Sequence, residues 1–120
     1  KIDQPSYTIE TRAGLQKGWI KEGEVCVQLT PPTDLKLNLP YDLHFVNTGV
    51  PHAVLFLESV ENFDIQNIGK SLRFSPMFGP KGTNVNFASL NSDGTLTMRT
   101  YERGVEGETL ACGTGAAAVA

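Results

Sequence analysis

Cysteine is scarce: the 120 residues hold two, Cys26 and Cys112, separated by most of the chain. Such a pair makes no disulfide framework and fits reduced thiols in a cytoplasmic setting. Histidine is equally sparse. His44 and His52 have no cysteine or carboxylate partners at ligand spacing, so no metal site is expected. Positive charge is not in excess, with 10 Lys and Arg against 13 Asp and Glu, a net charge of −3 and a pI near 5.3. No basic field exists to bind nucleic acid or an anionic membrane surface. No apolar run approaches membrane-span length, and the opening residues carry no secretory signal. Internal repeats and low-complexity segments are absent too. What remains is an ordinary globular composition, enough for one domain with one core.

The most informative stretch is Tyr101 to Ala120, YERGVEGETLACGTGAAAVA. Thr95 to Arg103 alternates like a strand, and Gly104 and Gly107 punctuate a turn. Cys112 is followed at once by Gly113-Thr114-Gly115 and an alanine-rich run, so a helix should start near the cysteine. A wall of methyl groups predicts a central, buried helix. Helix starts carry free N–H groups and favour both thiolate and bound anions. The N–H groups of Gly113 and Thr114 are therefore candidates to hold a carboxylate beside a reactive sulfur. The competing reading of Cys112 is a small buried filler. A dinucleotide fingerprint through Gly113, Gly115 and Ala118 fails because GETLAC is no buried apolar strand. A P-loop fails because no lysine follows the glycines. No cofactor is expected.

Upstream, Ser6–Thr11 and Leu15–Ile20 read as strands around Arg12-Ala13-Gly14, and Lys21-Glu22-Gly23 turns into the alternating Glu24–Leu29. There Val25, Val27 and Leu29 share one face, and Cys26 is structural. Pro31-Pro32 ends that strand. Residues 35–39 read as a short edge strand. Leu43–Asn47 and Ala53–Glu58 read as strands flanking Thr48 to His52. His44 reads as a strand-face residue, whereas His52 sits on a loop at a strand start, where functional side chains collect. Asp64 caps a helix to about Leu72 with a stripe of Ile65, Ile68 and Leu72, weakened by Gly69. Asn84–Leu90 and Thr95–Arg103 form a hairpin across Asn91-Ser92-Asp93-Gly94.

GVPHAV at residues 49–54, GTNVNF at residues 82–87 and ERGVEGETLACGTG at residues 102–115 occur in the order of three motifs of the diaminopimelate epimerases, and the sequence resembles that family of pyridoxal-independent amino-acid epimerases along nearly its whole length. The resemblance implies an α+β fold, a curved, mixed but mostly antiparallel sheet or barrel closed about the Ala-rich helix. It also implies a two-domain enzyme with one active cysteine per domain. The chain then reads as a single domain, most of the second half, cut at both ends, with the first domain as the missing partner. A homodimer stays open.

The chemistry implied is cofactor-free interconversion of L,L- and meso-diaminopimelate by two cysteines on opposite faces of the α-carbon, one removing a proton and the other returning it. Cys112 would serve one face. By resemblance, Glu102 orients the thiol or influences its proton, Arg103 holds the far carboxylate and Asn84 contacts the same end. His52 acts near the other cysteine, across the domain cleft. On charge alone Glu102 and Arg103 are a solvated pair at a strand end, and Asn84 a hairpin residue satisfying its own backbone. Two departures stand out. Many members carry GNPH where this chain has Gly49-Val50-Pro51-His52, and Val50 lacks the substrate-contacting amide, leaving Asn47 or a water to replace it. Val105-Glu106 lengthens the loop after Gly104 by one residue. The alternatives are a proline racemase-like or phenazine-biosynthesis-like isomerase and a non-catalytic amino-acid-binding domain.

Overall fold

The computed structural model describes residues 6–11 and 14–120. The expected turn at Arg12-Ala13 and the opening residues 1–5 lie outside them. The residues group into two compact units, 1–30 and 31–120.

The first unit is an antiparallel meander of β1 (Ser6–Thr11), β2 (Gly14–Lys21) and β3 (Glu24–Val27). Lys21 pairs with Glu24 across Glu22 and Gly23, both at positive φ, the backbone of a tight hairpin turn. The third strand stops at Val27, short of the expected Leu29. Val25, Val27 and Leu29 are exposed within the described residues, so the alternation is there but the face it makes is uncovered.

The second unit is a six-stranded sheet in the order β4 (Thr33–Leu39), β5 (Leu43–Asn47), β6 (Pro51–Phe56), β7 (Asn84–Leu90), β8 (Leu96–Glu102), β9 (Gly107–Thr109). All neighbours are antiparallel except β6 and β7, which run parallel. Parallel neighbours need a crossover. Here it spans residues 57–83 and carries α1 (Ile65–Arg73). Alternate residues of β7 point to opposite faces. Val85 and Phe87 join Tyr101, Val60 and Ile65 under α1. Ala88 joins Val54 and Val119 on the other face, under α2 (Gly113–Val119).

The fold is α+β with a mixed, mostly antiparallel sheet, as expected. Closure differs: among the described residues the sheet is open, with β4 and β9 at its edges. The alanine helix is also less enclosed than its composition predicts. It lays Gly115 and Val119 on the sheet and leaves Ala116, Ala117 and Ala120 exposed. Helix α1 begins where Asp64 accepts the Asn67 N–H at 3.1 Å. Its buried stripe is turned from the expected one. Ile65 and Gly69 are buried while Ile68 is exposed. A Cβ on Gly69 would stand 2.6 Å from the Tyr101 Cβ, so the glycine that weakens the helix lets it lie on β8. No helix among the described residues is long and apolar enough to cross a membrane.

Candidate active site

The α2 face of β6, β7 and β8 carries a seam of polar side chains. His52 is the second residue of β6 and is fully buried. The strand pairings set Asn84 beside His52 and Asn86 beside both Val54 and Thr100. Cys112 caps α2 in extended conformation, its carbonyl accepting the Ala116 N–H at 2.9 Å. The loop before β6 is tied to the helix where the Thr48 hydroxyl donates to the Thr114 carbonyl at 2.8 Å.

Two polar centres result. In the first, His52 Nε2 lies 2.9 Å from Thr114 Oγ1, which lies 3.7 Å from Cys112 Sγ. On its other side, His52 Nδ1 faces Asn86 Nδ2 at 3.0 Å. That amide also donates to the Ala53 carbonyl at 3.0 Å and accepts from the Thr100 hydroxyl at 3.0 Å. Burial lowers the His52 pKa from 6.5 to about 4, and the nearby Arg103 charge pushes the same way. The ring is therefore neutral at pH 7.

In the second centre, Asn84 donates to the Pro51 carbonyl at 2.9 Å and accepts the Arg103 N–H at 2.9 Å. One side chain thus fixes the start of β6 against the end of β8. Arg103 and Glu102 are half-buried, and neither side chain has a hydrogen bond or ion pair among the described residues. By strand parity Glu102 shares the face of Thr100. The loop after Gly104 is braced by Glu106, at φ 59, whose Oε1 accepts from Gly104 N at 3.0 Å and from Arg73 Nε and Nη2 at 3.1 and 2.8 Å. The Gly104 N–H and then the Arg73 guanidinium hold this carboxyl below its usual range. Arg73 Nη1 also donates to the Lys81 carbonyl, so the last residue of α1 anchors the loops that deliver Asn84 and Arg103.

The fold therefore joins His52, Thr114 and Cys112 through hydrogen bonds, and Asn84 to the backbone of Arg103. Glu102 makes no hydrogen bond to Cys112. His44 accepts the Asn38 N–H at 3.3 Å and lies apart from the seam. Asn47, a candidate to replace the amide missing at Val50, already accepts the Gly49 N–H at 3.0 Å. Asn86, Thr100, Thr48 and the Arg73–Glu106 pair were not expected from sequence. A signal existed for one of them: asparagine is disfavoured in strands, yet Asn84 and Asn86 recur at the spacing of one strand face.

Comparison with known proteins follows the same geography. The family model described as diaminopimelate epimerase matches residues 44–120, from β5 through the whole seam to the end of α2. A diaminopimelate epimerase of Hydrogenobaculum sp. is 47% identical over 98% of this chain and 46% of its own length. That of Aquifex aeolicus is 50% identical over 92% of this chain and 43% of its own. That of Archaeoglobus fulgidus is 55% identical over 67% of this chain and 28% of its own. The chain thus spans less than half the length of these relatives. The matched segment contains every residue of both polar centres, and the chain belongs to the diaminopimelate epimerase family.

Proposed function

We propose that the protein is a diaminopimelate epimerase that inverts one α-carbon without a cofactor. The observation that carries the reading is Cys112 at the start of α2, hydrogen-bonded to Thr114 within the family's matched segment. When Cys112 is the base, its thiolate takes the α-proton. The C–H bond breaks, an S–H bond forms, and the electron pair is left on carbon beside the carboxylate. A thiol on the opposite face, from the part of the relatives' length that this chain does not span, returns a proton. The two sulfurs exchange roles in the reverse direction. The developing negative charge needs donors in a dry site, a task for the Gly113 and Thr114 amides. Arg103 offers a planar fork to the distal carboxylate, with Asn84 holding its backbone in place. On the family pattern Glu102 orients the thiol or influences its proton. His52 acts on this side through Thr114, and on the family pattern it also faces the second cysteine. Supply of lysine and peptidoglycan precursors in a bacterial-type cytoplasm is the corresponding role.

The test uses the intact, reduced protein with L,L-diaminopimelate in heavy water and no pyridoxal phosphate. Loss of the α-hydrogen signal with formation of the meso isomer is expected in wild type, and no meso isomer is expected in Cys112→Ala. Epimerisation at the wild-type rate after the substitution would sink the mechanism. Turnover of proline with none of diaminopimelate would move the substrate, and binding without exchange would point to a non-catalytic domain. Residues 1–120 alone are expected to be inactive.

A further inference from the structure

We propose that Asn86 is a positioning residue for the Cys112 chemistry: its amide decides which nitrogen of His52 carries the proton, and so turns the Thr114 hydroxyl towards the sulfur. The inference rests on the reading of Cys112 as a proton-transfer group.

The direction of the chain of bonds follows from its one fixed end. The Ala53 carbonyl only accepts, so the Asn86 atom 3.0 Å from it is the NH2 group. The Thr100 hydroxyl then donates to Asn86 Oδ1 at 3.0 Å. The second Asn86 N–H points at His52 Nδ1, 3.0 Å away, which leaves that nitrogen as a bare acceptor. A neutral imidazole with an unprotonated Nδ1 carries its hydrogen on Nε2. That hydrogen goes to Thr114 Oγ1 at 2.9 Å. Having accepted there, the threonine hydroxyl has its own hydrogen free for Cys112 Sγ at 3.7 Å. Every donor in the series points towards the cysteine, which favours a sulfur that bears negative charge.

The packing of α2 agrees independently. A Cβ on Gly115 would stand 2.5 Å from Asn86 Oδ1 and 3.1 Å from Cys112 Sγ. The helix start is seated on the Asn86 amide, and glycine is what allows the approach.

The experiment reads the tautomer directly. Nitrogen-15 spectra of the intact protein at pH 7, with His52→Gln to identify the signals, should show His52 protonated on Nε2 alone. Asn86→Asp keeps the shape but offers Nδ1 an acceptor, so the proton should move to Nδ1 and the Thr114 hydroxyl should turn back to the ring. Alkylation of Cys112 by iodoacetamide at pH 7, followed by peptide mass spectrometry, should then slow by about tenfold, the loss expected for one hydrogen bond to a charged group. In the exchange assay kcat should fall by a similar factor, with KM changed less than about twofold. A wild-type His52 protonated on Nδ1 overturns the proposal, as does a switched tautomer with unchanged alkylation. Should Asn86→Asp fail to fold, Thr114→Val must slow alkylation and Thr114→Ser must restore it; equal rates in all three proteins overturn the proposal. A wild-type protein with the expected tautomer and alkylation pattern but no diaminopimelate exchange supports the relay and fails only the substrate reading.

Discussion

The two faces of β7 make opposite use of the same burial. Six consecutive residues, Asn84 to Ser89, are buried. On the α1 side Val85 and Phe87 meet Tyr101, Val60 and Ile65 in a largely apolar contact set. On the α2 side Asn84 and Asn86 stand at the same spacing and meet His52, Thr100 and the Arg103 backbone. The apolar face gains from removal of surface from water and is indifferent to direction. The polar face stays buried because each amide finds partners, and those partners fix orientation. One strand thus separates what holds the unit together from what arms it.

If that division is real, substitutions on the two faces should fail differently. Phe87→Ala should cost about 3–5 kcal/mol in chemical denaturation, with turnover per folded molecule unchanged. A fall in turnover while the protein is still folded would break the division. His52 gives the polar face a pH signature. Its pKa falls from 6.5 to about 4 on folding, so the unfolded chain binds the proton more readily. Its contribution is fully present above pH 6.5 and lost as pH falls towards about 4, roughly 3 kcal/mol in all. His52→Gln should flatten the stability-versus-pH curve in that window. An unchanged slope would mean that the ring is not held neutral. Gly115→Ala should cost about 1–3 kcal/mol by pushing α2 off Asn86, and should lower exchange by more than the unfolded fraction accounts for. Exchange that falls only in step with stability would make the glycine a packing residue. Val25→Thr, at an exposed position on β3, should move stability by no more than about 0.5 kcal/mol, since Val25 is 77% exposed.

Much of this was legible beforehand, because it is local. Asp64 caps α1, Asp93-Gly94 turns the hairpin, and Lys21 to Glu24 closes the meander, each by chemistry within a few residues. The parallel pairing of β6 with β7 was not legible, since nothing near His52 says that Asn84 will lie beside it. The short β9 hid inside a run that its glycines mark as turn. Alanine at positions 116 and 117 signals helix but not which side is covered, and the expected burial of α2 holds only for Gly115 and Val119. Motif reading named Cys112, Thr114, His52 and Asn84, which the fold places in the polar seam. It passed over Asn86 and Thr100, whose hydrogen-bond partners lie far along the chain.

The crossover through α1 also sets an order of events in time. Asn86 and Thr100 are 14 residues apart and meet when the β7–β8 hairpin closes. His52 must find Asn86 across 34 residues, and Thr114 across 62. Loop-closure entropy makes the longer searches slower, so the hairpin amide is set first, the histidine docks on it next, and the cysteine's helix arrives last. A chain emerging from synthesis therefore carries no assembled thiol centre until the rest of the sheet is in place.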